Sequence, residues 1–543
     1  MVHFPPRKME SESAAGEEDH VVSGRNRRVM TSSALVWLSE LCERVTYYGI
    51  LANMADYVTS PCFPERYHLP WVVTWVFTSF AYALTFFGGW LADTVGNRFW
   101  TILVSMWIYL VGTALLVASS SLCGSSPDGR VSGLYFAGLT LVAIGTGGSK
   151  SNLGLFGAQQ YKTSGGDIKV KLRRFFHWYY WCINLGATIG VVGVPYLQTH
   201  VSLLSGYVAT CVFVVLSTTV FVSGRIGNFY NQENSTHEIR SKIVAGLLDP
   251  NRKTQRRNPQ GRLWSSTIPK EVWKLMQIFA TLIPYYAIYS QTRTTYLFQS
   301  QRLRMPVGSE ATYFSAINSL TILLMIPLMV CFVYPRLTIK KVQLTPLTIM
   351  GVGILLSTLS VLSAEVVEVV RRQLVHSGQF FEQTVVGNRT LRAADLSIAV
   401  QIPQFALSGI SEVLTLAVGY YFAYTEAPPG YEGTIMGAYL LMWGLGSGLN
   451  LLLTEIVNAI CVSVSGAACF PLELNDGHVE YFFLTLAGLL MATFGIFWYL
   501  ERHYVYRSEG TAQTQEAEIP LLEGRDSSGT AYGTTGHTEN PHT

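Results

Sequence analysis

Charge is what this sequence has least of: only 13% of its residues are Asp, Glu, Lys or Arg, against 49% hydrophobic, with a mean hydropathy of +0.28. A soluble domain carries about a quarter charged residues, so an ordinary soluble protein is excluded. The first 30 residues lack the apolar core of a cleavable signal peptide and end in a basic cluster, so the N-terminus is expected to stay in the cytosol. The eight cysteines lack metal-ligand spacing. No zinc site is indicated, therefore, and Cys42, Cys182, Cys211 and Cys331 fall in apolar runs, where a thiol acts as a small apolar side chain. No Ser/His/Asp, Cys/His or metal constellation is present, which argues against an enzyme, and no cofactor is implied. A net charge of +3 is too small to suggest a nucleic-acid partner.

Long apolar runs, by contrast, are abundant. They recur near 31–59, 71–94, 99–120, 131–153, 176–198, 203–224, 272–297, 311–334, 346–370, 396–424, 434–461 and 479–501. A bilayer core is crossed by about 20 apolar residues, so the expected fold is an all-α membrane protein with twelve transmembrane helices. Connections after even-numbered spans carry Arg98, then Lys162, Lys169, Lys171, Arg173 and Arg174, then a long basic linker, then Arg336, Lys340 and Lys341. The positive-inside rule puts these loops and both termini in the cytosol. Residues 371–395, with Arg371, Arg372 and Arg389, go against that trend on the opposite face. Cys62, Cys123, Cys461 and Cys469 also lie on or near that face, where a disulfide such as Cys461–Cys469 is open to form.

The longest polar interruption, 225–271, divides the spans six plus six. The expected organisation is a cytosolic tail (1–30), a six-helix bundle (31–224), a cytosolic linker (225–271), a second bundle (272–503) and a disordered cytosolic tail (504–543). Two bundles rocking about a midplane site are the layout of a secondary transporter. The sequon at Asn388 is placed for glycosylation, whereas Asn234 falls in the cytosolic linker. In the tail, "EAEIPLLEG" sets Leu521 and Leu522 after Glu518, similar to an acidic dileucine sorting signal read by cytosolic adaptors, with the acid one residue nearer than usual.

The first span contains "SELCERVTYYGI". Glu40, Glu43, Arg44 and Tyr47 fall at i, i+3, i+4 and i+7, so they share one helix face. Ionisable groups in a span face protein or a watery cavity. An intrahelical ion pair is the plainer reading; a proton relay is the sharper one, because two carboxylates around one Arg are not both fully neutralised.

"ELCERVTYYG" resembles the E-x-x-E-R-F-x-Y-Y-G signature of the proton-coupled oligopeptide transporters of the major facilitator superfamily, with Val45 in place of Phe. "GGWLAD" with "TVGNRFWTI", "GTGGSKSNLGLFGAQQY" and "RRFFHWYYWCINLG" are similar to three further segments of that family. "TLIPYYAIYSQTRTTYLFQS" and "QIPQFALSGISEVLTLAVGYYFAYTEAP" resemble its peptide/histidine branch most, and the resemblance covers about 31–505. It implies two six-helix bundles, protons as the coupling ion, and histidine or small di- and tripeptides as substrates, moved across an endolysosomal membrane toward the cytosol.

Lys150 does not belong to a phosphate loop, since Ser149 separates it from Gly148 and the segment is a span. The resemblance implies that it binds the substrate carboxylate, on a helix made deformable by Gly145, Gly147 and Gly148. Glu412 matches the family's carboxylate in the tenth helix; a buried carboxylate needs a cation, which a substrate ammonium supplies, or else is neutralised by hydrogen bonds between packed helices. Matching position adds Tyr82, Asn184, Tyr286, Asn318 and Tyr439 as neutral cavity residues. Leu51, Trp75, Ser290, Val330 and Tyr421 stand where family members carry Arg, His, Asp, Asp and Glu. Those departures leave the coupling route to the first-helix cluster and Glu412. Other readings are a carrier of another small anion such as nitrate, and a transporter-like scaffold for a signalling adaptor.

Overall fold

The computed structural model describes residues 8–58, 63, 70–123, 129–163, 167–230, 270–306, 311–340, 344–385, 389–466 and 477–507. Twelve helices carry the chain: α1 (Lys8–Ala52), α2 (Pro70–Val95), α3 (Arg98–Leu122), α4 (Gly129–Gln159), α5 (Ile168–His200) and α6 (Leu203–Ile226), then α7 (Lys270–Tyr289), α8 (Ala311–Leu328), α9 (Pro346–His376), α10 (Ile402–Glu412), α11 (Glu432–Ser465) and α12 (Val479–Arg502). Among the described residues ten helical segments are long and apolar enough to cross a membrane, including Ala316–Leu337 through α8 and Ile398–Glu426 through α10. The other two are α1, with Glu40, Glu43 and Arg44 within its apolar part, and α7, whose apolar face is diluted by Lys274, Gln277 and three tyrosines. The architecture is that of an all-α membrane protein.

Helix starts follow from capping. Asp167 accepts from the backbone N–H groups of Lys169 and Val170, Ser202 caps α6, and Thr345 caps α9 ahead of Pro346, satisfying donors that the helix itself leaves unpaired. The α2–α3 turn needs Gly96, whose φ of 71° suits a residue without Cβ. α1 begins at Lys8, where the apolar pattern predicted a span from 31. The segment between carries four Glu, and no proline interrupts it.

α2 and α11 pack against each other across the two halves of the chain, and α5 meets α8 on the other side. The approach of α2 to α11 depends on glycine, since a Cβ on Gly89 would lie 2.0 Å from the Gly433 carbonyl oxygen. The glycines of "GTGGSK" serve the same purpose. α4 runs unbroken through them, and they let it close on Tyr109 of α3 and Leu84 of α2. The expected deformable stretch is thus a packing surface.

The polar segment 371–395 is more ordered than a loop. After α9, β2 (Phe380–Val385) and β3 (Arg389–Ser397) form an antiparallel hairpin in register Phe380↔Ala394 to Val385↔Arg389, and β1 (Leu303–Arg304) pairs parallel with β3. Two of its arginines are paired within the fold: Arg371 is buried against Glu368, with Nη2–Oε1 at 2.6 Å and Nε–Oε2 at 3.0 Å, and Arg372 pairs with Glu480. Cys123 and Cys461 each take part in a disulfide, and Cys42, Cys182, Cys211 and Cys331 are free, as their apolar surroundings suggested. Cys469 lies outside the described residues.

Candidate functional site

α1 is held against α5 by small residues: a Cβ on Gly186 would sit 2.4 Å from the Leu41 carbonyl oxygen. This contact fixes the face carrying the charges. Arg44 is fully buried, its Nε 3.1 Å from Glu40 Oε1, and its Nη2 pairs with Glu43. Its guanidinium lies 5.4 Å from the ring centre of Tyr47. Two carboxylates therefore sit on one cation, Glu40 through the i, i+4 spacing and Glu43 as the chain neighbour of Arg44.

Lys150 comes from α4 on the other side of the cluster. Its Nζ stands 3.7 Å from the ring centre of Tyr82 and 4.5 Å from that of Tyr47. Aromatic faces stabilise a desolvated ammonium by about 2 kcal/mol or more. Lys150 also lies within electrostatic reach of Glu43. The two basic groups and the two carboxylates thus share one buried environment, with the tyrosine rings as its walls.

Glu412 faces this environment from the other bundle. Tyr180 Oη donates to its Oε1 at 2.5 Å and Asn318 Nδ2 to its Oε2 at 3.2 Å. A π turn, Val413–Ala417, follows directly, and α-helix resumes over Val418–Glu426. Such one-turn widenings are frequent at functional sites. Here the turn begins at the carboxylate itself.

Arg44, Lys150, Tyr82, Asn184, Asn318 and Glu412 all line one enclosed central cavity. Its volume of about 30 Å³ has room for about two waters. That is too small for a molecule the size of an amino acid. Glu40 and Glu43 stand behind Arg44, and Tyr47 behind Lys150, outside the cavity wall. Tyr286 and Tyr439 also stand back: Tyr286 stacks on Trp443 at 5.1 Å, and Tyr439 donates to the Leu416 carbonyl at 3.3 Å. Trp75 faces an apolar groove between α2 and α11, away from the cavity. Asn388, Leu521 and Leu522 lie outside the described residues.

Sequence reasoning passed over Tyr48, Tyr180, Tyr289, Ser319, Tyr420 and Trp443, which line the cavity as well. Trp443 joins the halves, stacked on Tyr82 at 5.4 Å with the rings 8° apart. Tyr48 and Tyr180 sit inside the two signature segments quoted above, beside residues that were selected. Which neighbouring tyrosine turned inward depended on helix rotation, which those segments do not encode.

Comparison with known proteins agrees with this geometry. The sequence profile of the POT family matches residues 99–258 and 264–472. The chain is 28% identical to solute carrier family 15 member 3 of Rattus norvegicus, over 94% of this chain and 99% of the relative, and 29% identical to that of Mus musculus, over 95% and 99%. It is 26% identical to Protein NRT1/PTR FAMILY 8.1 of Arabidopsis thaliana, over 86% and 92%. Among solved structures, an auto-inhibited POT family peptide transporter superposes with a TM-score of 0.61 at 21% identity, covering 88% of this chain and 98% of that one. The POT family transporter PepTSo gives a TM-score of 0.61 at 23% identity, over 87% and 98%. These two share its fold.

Proposed function

The chain belongs to the POT family of transporters, and from that premise we propose that it is a proton-coupled symporter of histidine and small di- and tripeptides. It works by alternating access and delivers substrate from an endolysosomal lumen to the cytosol. The reading rests on one observation. Lys150 and Glu412, from opposite halves of the molecule, line the same enclosed cavity, spaced by tyrosines and asparagines that offer hydrogen bonds without selecting one side chain.

The charges give the coupling a physical basis. With both first-helix carboxylates ionised, Glu40 and Glu43 balance Arg44 and Lys150. A substrate carboxylate arriving at Lys150 adds one uncompensated negative charge, and a buried unpaired ion costs several kcal/mol. A proton on Glu43 removes that cost. Substrate and proton therefore favour each other's binding, while the substrate ammonium goes to Glu412.

Uptake by reconstituted liposomes under an imposed pH gradient tests the reading, with histidine, a dipeptide and nitrate side by side. Gradient-driven accumulation of histidine and the dipeptide is expected. Accumulation of nitrate alone would make this an anion carrier, and no accumulation of any of the three would leave the scaffold reading.

Lys150→Ala is expected to weaken binding of substrates with a free C-terminal carboxylate about tenfold to a hundredfold, the worth of a hydrogen bond between charged groups. Amidated analogues should lose much less. Equal losses, measured by thermal shift, would assign Lys150 to structure or coupling. For location, replacing Leu521 and Leu522 together by Ala should move part of the protein from lysosomes to the plasma membrane, seen by surface biotinylation; an unchanged distribution would make the pair incidental.

A further inference from the structure

On α5, His177, Tyr180 and Trp181 fall at i, i+3 and i+4, one face of the helix. Each makes a hydrogen bond to the other half of the chain. His177 Nε2 meets Tyr334 Oη at 3.0 Å, Trp181 Nε1 donates to the Leu323 carbonyl at 3.0 Å, and Tyr180 Oη donates to Glu412 Oε1 at 2.5 Å. The first two go to α8 or its continuation, away from the cavity wall. Tyr180 differs in that both it and its acceptor line the substrate cavity.

We infer that Tyr180 is a positioning residue that stands in for the substrate ammonium at Glu412, and that this bond closes the carrier when it is empty. The inference rests on the reading of Glu412 as the amine site. A symporter that accumulates substrate must return empty after each delivery. During that return, the two halves must close over a buried carboxylate with no ammonium on it; Asn318 serves one oxygen from the same half, and leaving the other short of a donor is costly. A donor from the opposite half removes this cost and at the same time links the halves. The structure has this arrangement: the cavity is collapsed to about 30 Å³, and the Tyr180 hydroxyl is on the carboxylate. When substrate enters, its ammonium competes with that hydroxyl for Glu412. Tyr180 thus matters most to the empty half of the cycle and least to the loaded half.

Net uptake requires the empty return, whereas exchange of labelled for unlabelled substrate does not. Tyr180→Phe should therefore lower the ratio of gradient-driven net uptake to exchange about tenfold, the equilibrium worth of one hydrogen bond to a charged group. Both rates are read for histidine on the same batch of liposomes, exchange with saturating unlabelled histidine inside. Binding of histidine, read by thermal shift, should stay the same or tighten, because a competitor is removed. A 4-aminophenylalanine at position 180, which restores a donor of the same reach, should restore the ratio. Equal loss in both assays with weakened binding would make Tyr180 a substrate contact and overturn the inference, as would an unchanged ratio. Failure of the wild-type protein in both assays would instead overturn the transport reading beneath it.

Discussion

Glu43→Gln is expected to bring pH-gradient-driven accumulation of histidine or dipeptide down to the level of protein-free liposomes, with protein abundance largely intact. The change preserves side-chain size and removes the carboxylate that, in the proposed coupling, takes the proton. It leaves Arg44 paired with Glu40 at 3.1 Å, so the buried cation does not lose all compensation. Losing every partner of a buried ion costs about 3–5 kcal/mol; losing one of two costs less, and thermal unfolding of the purified variant checks that the fold persists. The effect on transport is larger because of what the proton does. When a substrate carboxylate reaches Lys150, the variant has no carboxylate to protonate at that position, so substrate binding is no longer tied to a proton and the gradient cannot drive accumulation. Retention of gradient-driven accumulation would falsify the relay.

The membrane class, the helix order and the charged face of α1 were legible in the sequence, because each is a local or periodic property. Apolar runs fix spans through length, and the spacing of Glu40, Glu43 and Arg44 fixes a shared helix face whatever the rest of the chain does. Contacts between segments far apart in sequence were not legible. That Glu412 meets Tyr180 and Asn318 depends on how α5, α8 and α10 are rotated and on a π turn at Val413–Ala417, to which the run of apolar residues gives no clue. The hairpin over Phe380–Ser397 was hidden for a related reason: its register is set by pairing between strands and by β1, some 80 residues earlier along the chain. The glycines of "GTGGSK" were legible as glycines but not as contacts. Their role is defined by Tyr109 and Leu84 on neighbouring helices.

Glu412→Gln should reduce binding of substrates with a free amine about a hundredfold, at the upper end for a charge-assisted pair, while N-acetylated analogues are little affected. The reasoning starts from the two halves. Lys150 and Glu412 line one cavity from opposite sides, so a zwitterion bound between them links the bundles through both its ends. Its ammonium offsets the burial of Glu412, and its carboxylate offsets that of Lys150. Gln keeps the shape of the side chain and one acceptor oxygen. It also puts an amide donor where Tyr180 or Asn318 now donates to Oε1 or Oε2, so the local network weakens as the charge is lost. An acetylated ligand has no ammonium to lose, so only that smaller effect remains for it. Thermal shift on purified protein, where ligand stabilisation follows the ratio of concentration to Kd, isolates binding from proton coupling. Equal loss for free and acetylated ligands would sink the clamp, because the charge at Glu412 would then be acting on the fold of the cavity and not on the substrate's amine.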